Sequence, residues 1–115
     1  MSLDLQALRD ADGRKIKELD VPELGGTLRI RMMSGTDFFK LREHTSKHPD
    51  DLAGKARILF IACIIDDDGK PMFDGRTVNL LLDQSSEMVL RLSMDILEFC
   101  GLIGGDNDKD DTVKN

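Results

Sequence analysis

The residues here that could carry chemistry are two histidines, two thiols and two runs of carboxylates. His44 and His48 stand four apart, the spacing that sets two imidazoles on one helical face for a metal. Pro49 frays a helix at His48, and no third His completes a ligand set, so both read as solvated histidines. Asp66-Asp67-Asp68-Gly69 invites a calcium loop. With Gly69 at the glycine position of an EF-hand loop, Ile64 falls at the first position, where Asp is needed. Asp106, Asp108 and Asp110 alternate, but Asp111 stands where that loop needs Gly, and no closing Glu follows. Cys63 and Cys100 each lie in an apolar run and read as reduced, buried thiols, with a disulfide between them the lesser alternative. No Gly-rich phosphate loop, nucleophile elbow or Cys-x-x-Cys occurs. The expectation is a protein without catalysis, metal or cofactor.

His48-Pro49-Asp50 is the tripeptide by which J-domain co-chaperones engage their ATPase. Strand-like text precedes Ser34 where such a domain needs its first helix, and the basic face of the preceding helix is thin. Pro and Asp both suit a helix start, so the tripeptide reads as an interhelical turn.

Composition sets the remaining bounds. The 115 residues make one domain, large enough to bury a core without disulfides or metal. Aromatic content is 4% with no Trp or Tyr, so that core is aliphatic and Met-rich. A net charge of −6 argues against nucleic-acid binding, which needs basic surface. No run reaches the length of a membrane span and no signal peptide opens the chain, so neither membrane nor export is expected.

The elements are organised around Arg57 to Phe73. Eight consecutive apolar residues, Ile58 to Ile65, must be enclosed on all sides. Their β-branched isoleucines favour a strand; the acidic start at Asp50-Asp51 and the room for about four turns favour a helix from Asp51 to Ile65. The helix is preferred. Asp66 to Pro71 then turns, and Met72 and Phe73 return toward the core.

Upstream, Lys15–Leu19 and Thr27–Met32 read as a hairpin, with Pro22 and Gly25-Gly26 between its strands. Leu28, Ile30 and Met32 share its inner face; Arg29 and Arg31 point to water opposite Lys15, Lys17 and Glu18. Ser34 caps a helix with Asp37 three residues on, Phe38 and Leu41 inward and Phe39 beside them. A short helix spans Thr77–Leu82. A long one spans Ser86–Leu102, with Glu87, Arg91, Asp95 and Glu98 on one narrow stripe. Almost everything else on it is apolar, a wider arc than a lone small domain buries, and this predicts self-association. Phe39, Met88, Leu92, Ile96 and Phe99 are the candidate partner or self-association surface. The fold predicted is α+β: an N-terminal antiparallel β-hairpin followed by three to four helices and predominantly helical. Its domain spans 13–104, between an arm at 1–12 and a disordered acidic C-terminal tail at 105–115.

The order of motifs adds a resemblance. Val21-Pro22-Glu23-Leu24-Gly25-Gly26 leads into a strand, then Ser34-Gly35-Thr36-Asp37 starts a helix. Asp66-Asp67-Asp68-Gly69-Lys70-Pro71-Met72-Phe73 and a long apolar helix ending Gly101-Leu102-Ile103 follow. Taken together, roughly from Val21 to Ile103, this resembles the tail assembly chaperones of long-tailed, lambda-like bacteriophages; Leu24 stands where many relatives carry Trp. The resemblance implies a non-catalytic protein in the host cell cytoplasm, absent from the mature virion. It would bind the tape measure protein, keep it soluble and leave as tail tube subunits polymerise. It also implies a minor form extended by ribosomal frameshifting, which recruits the tail tube protein. The alternatives are a structural tail-completion subunit of the virion or a small regulatory adaptor.

Overall fold

The computed structural model describes residues 2–11 and 13–103. The tail predicted at 105–115, with its alternating Asp106, Asp108 and Asp110, lies outside them. A short helix α1 (Leu5–Asp10) precedes a hairpin of β1 (Ile16–Val21) and β2 (Gly26–Arg31). Helices α2 (Gly35–Lys47) and α3 (Leu52–Cys63) follow, then a two-residue strand β3 (Ile64–Ile65), a short α4 (Val78–Leu82) and α5 (Ser86–Phe99). The class is α+β, and the predicted hairpin is the larger part of a three-stranded antiparallel sheet ordered β1-β2-β3.

The hairpin closes through a single 3-10 turn, Pro22–Leu24. Pro22 presets its φ, and Gly25 takes φ 75° and donates its N–H to the Pro22 carbonyl at 3.0 Å. Leu19 stands opposite Leu28 and Lys17 opposite Ile30 on the face that meets the helices; Leu19, Val21 and Ile30 are buried there. Glu18 stands opposite Arg29 on the other face, at 3.9 Å. β2 ends at Arg31, and Met33 rather than Met32 is buried.

The apolar run Ile58–Ile65 is helix for most of its length and strand at its end. Asp51 caps α3 by accepting the Gly54 N–H at 3.0 Å. The helix stops at Cys63, two residues short of the prediction, because β2 has an open edge. Ile64 and Ile65 become extended and pair with Ile30 and Arg29, satisfying backbone groups that would otherwise be buried unpaired. The chain reverses directly afterwards: Asp66 N–H donates to the Lys70 carbonyl at 2.8 Å, Gly69 takes φ 82°, and Met72 N–H donates to the Ile64 carbonyl at 3.0 Å. The Asp66 carboxylate accepts the N–H groups of Asp68 and Lys70 at 2.9 and 3.0 Å, so the first acid of the triplet holds the turn. Met72 is exposed rather than returned to the core, whereas Phe73 packs against it.

One core joins the layers. It holds Leu59, Phe60 and Cys63 of α3, Met88, Leu92 and Ile96 of α5, and Leu41, Val78, Leu81 and the buried sheet residues. Among the described residues no polar or charged residue is buried as a whole. Arg57 ties α3 to the start of α4, donating to the Gly75 carbonyl at 3.0 Å and to Asn79 Oδ1 at 2.8 Å.

Candidate functional site

α5 has three sectors. Ser85 starts it, accepting the Met88 N–H at 3.3 Å. Gly101 ends it at φ 75°: Leu102 N–H donates to the Leu97 carbonyl at 2.9 Å and Gly101 N–H to the Glu98 carbonyl at 3.0 Å, the Schellman arrangement. Between these caps, Met88, Leu92 and Ile96 recur every four residues and form the buried sector. Glu87, Arg91, Asp95 and Glu98 form the polar sector. Arg91 grips Glu23 of the hairpin turn with both guanidinium nitrogens, at 2.5 and 2.8 Å. That fork holds the Glu23 carboxyl down at about 2.

The third sector, Ser86, Val89, Leu90, Ser93, Met94 and Leu97, forms one wall of a groove. Leu52, Ala53, Lys55, Ala56 and Leu59 of α3 form the opposite wall, and Leu82 and Gln84 close one end. The groove encloses about 430 Å³, within the range of ligand-holding clefts. Leu52, Leu90 and Met94 along it are 67%, 57% and 54% exposed. Three of its polar side chains are turned to the backbone. Ser93 Oγ donates to the Val89 carbonyl at 2.9 Å, Gln84 Nε2 to the Leu80 carbonyl at 3.1 Å, and Lys55 Nζ to the Pro49 carbonyl at 2.6 Å. What the groove offers a partner is therefore apolar contact, with little polar specificity.

The residues expected to form that surface fall elsewhere. Met88, Leu92 and Ile96 are in the core and cannot touch a partner while the domain is folded. Phe99 is half-buried and packs on the same core. Phe39 is exposed on α2, with Phe38 beside it at 5.5 Å between ring centroids, and does not line the groove. The exposed apolar residues that line the groove are Leu52, Leu90 and Met94. The signal for the α5 pair was present in the width of the apolar arc, but which part of the arc faces α3 is a tertiary fact.

The polar candidates resolve locally. His44 Nε2 lies 2.9 Å from Asp51 Oδ2, and the His44 and His48 rings are 5.1 Å apart. The Gly54 N–H, then His44, hold the Asp51 carboxyl below the ordinary range. His48-Pro49-Asp50 is the link between α2 and α3. Among the described residues no three potential ligands cluster for a metal. Cys63 and Cys100 are free thiols with their sulfurs 4.0 Å apart. The contact with Cys100 and then burial push the Cys63 thiol up. Among the described residues no helix is long and apolar enough to cross a membrane.

No protein-family profile matches the chain, and no curated protein matches its sequence. A solved structure does. The chain is similar to the bacteriophage HK97 tail assembly chaperone, at TM-score 0.58 and 25% identity, over 88% of this chain and 94% of that one. This structural neighbour agrees with the tail assembly chaperone resemblance read from the order of motifs. That likeness supports a general role in phage tail assembly.

Proposed function

We propose that this chain is a tail assembly chaperone that binds the tape measure protein in the host cell cytoplasm and keeps it soluble until tail tube subunits polymerise around it. The observation that carries the assignment is the open apolar groove between α3 and α5. An amphipathic helix lays its apolar face into such a groove, and a long helical partner offers many such faces in succession. Met94 at the rim suits this work, since an unbranched thioether side chain adapts to varied sequences. The partner supplies apolar area and little else, so one groove serves many segments. The role is non-catalytic. The chain acts as an oligomer and leaves before the virion matures. A minor form, extended by a ribosomal frameshift near Val113-Lys114-Asn115, recruits the tail tube protein.

Co-expression tests the assignment. Tape measure protein should stay soluble beside this chain and precipitate without it, and the complex should survive moderate salt because its contact is apolar. Recovery of the chain in mature virions would indicate a tail-completion subunit instead. For the extended form, the gene should carry a slippery run in its last codons and an overlapping −1 frame; a nucleotide sequence with no such frame contradicts it.

A further inference from the structure

Two thiols meet where α3 and α5 end. Cys63 is the last residue of α3 and continues its buried face after Ala56, Leu59 and Phe60. Cys100 is the C-cap of α5 and extends the series Met88, Leu92 and Ile96 by one more step of four. Cover runs out along that series: Cys63 is fully buried, whereas Cys100 is half-buried and reached by water. The two sulfurs lie 4.0 Å apart, about 2 Å from bonding distance.

The fold fixes both ends of this contact. Ile64, directly after Cys63, is paired in the sheet with Ile30. The Cys100 N–H donates to the Ile96 carbonyl at 2.9 Å, and Gly101 turns the chain away at φ 75°. Groups held together in this way react with one another at a high effective concentration. The two thiols are not equivalent, however. The contact with Cys100 and then burial keep the Cys63 thiol protonated. The Cys63 thiol does most to hold Cys100 below the ordinary cysteine range, against burial, and the Met33 backbone adds to it. The sulfur that water reaches is therefore also the better nucleophile.

We infer that Cys63 and Cys100 form a reversible thiol–disulfide site that takes a small-molecule disulfide, with Cys100 the attacking sulfur and Cys63 the resolving one. The Cys100 thiolate bonds to one sulfur of the small disulfide, whose own S–S bond breaks. The first thiolate leaves and takes up a proton. Cys63 then gives up its proton and bonds to the Cys100 sulfur, displacing the second thiolate, which is protonated in turn. Two protein thiols lose two electrons and two protons, and the small disulfide gains both and departs as two thiols. The product staples α3 to α5 where they meet and closes β3, the turn at 66–71, α4 and α5 into one loop. Neither cysteine lines the groove between these helices, so the exchange does not depend on what the groove takes. In a reducing compartment the pair rests as thiols.

Oxidised glutathione added to the folded full chain tests it, read by intact mass and by free-thiol titration after unfolding. The wild type should lose both thiols without gaining the mass of glutathione, run as a single chain on a non-reducing gel, and recover both thiols with reductant. Its thermal midpoint should rise by at least roughly 10 °C on oxidation. Cys63→Ala should stop after the first step and carry glutathione on Cys100. In Cys100→Ser, Cys63 should stay unmodified at least ~10-fold longer than the wild type takes to close, because burial shields it. Should circular dichroism show Cys63→Ala unfolded, Cys63→Ser replaces it, and the wild-type result stands by itself. A wild type that keeps its thiols, holds a stable glutathione adduct, links to a second chain or shows no rise in midpoint overturns the inference. So does a Cys100→Ser chain modified as fast as the wild type.

Discussion

Met88, Leu92 and Ile96 on one side of α5, and Leu90 and Met94 on another, are chemically alike. A fraction of a helical turn separates side chains that solvent hardly reaches from side chains that are more than half exposed. The buried trio shares one core with Leu59, Phe60 and Cys63, toward the C-terminal end of α3. The exposed pair faces the N-terminal end of α3, at Leu52 and Ala56, across an opening. The difference lies in where α3 approaches, with no difference in hydropathy. Apolar surface on one helix is thus divided between holding the fold and lining an open groove, and the two parts are separable by substitution.

The largest expected effect is on the buried side. Leu92→Ala should cost ~2–5 kcal/mol of unfolding free energy, the range for deleting buried methyl groups and leaving a cavity. Urea denaturation reads this directly, and a loss under ~1 kcal/mol would mean that the site collapses around the gap. On the open side, Leu90→Asp with Met94→Asp should leave stability within ~1 kcal/mol, since exposed substitutions away from caps and cores change little. If the two faces gave equal losses, the division of α5 would be wrong.

A smaller effect comes from the polar sector. Arg91 first, then a backbone N–H, hold the Glu23 carboxyl at about 2. Its folded pKa lies below its unfolded one, so the pair's contribution is complete above the ordinary glutamate range. It is lost as pH falls from that range through about 2. Denaturation from pH 7 downward should show the stability gap between wild type and Glu23→Gln shrinking across that window. A gap constant with pH would mean the fork adds nothing to the folded state.

Much of this frame is legible in the sequence because its signals are local. Ser34 and Asp51 cap their helices through their own following N–H groups, Gly69 and Gly101 take positive φ at turns, and Pro22 opens the hairpin turn. Each depends on a few neighbouring residues. What the sequence hides is set by distant partners. Ile64 and Ile65 leave the helix because β2, far earlier in the chain, offers an edge. Arg91 leaves the solvated stripe for Glu23, 68 residues away. The same holds for the site. The apolar arc of α5 is visibly too wide for one core, but composition weighs Leu92 and Met94 alike, and only the placement of α3 assigns one inward and one to the groove.

The most direct test is whether the groove carries the solubilising activity proposed for the chain. Tape measure protein co-expressed with the wild-type chain or with Leu90→Asp and Met94→Asp would be measured in the soluble fraction, with the variant's fold checked by circular dichroism. The expected result is a soluble tape measure with wild type and a precipitated one with a folded variant. Equal solubility with both would contradict the α3–α5 groove as the binding site.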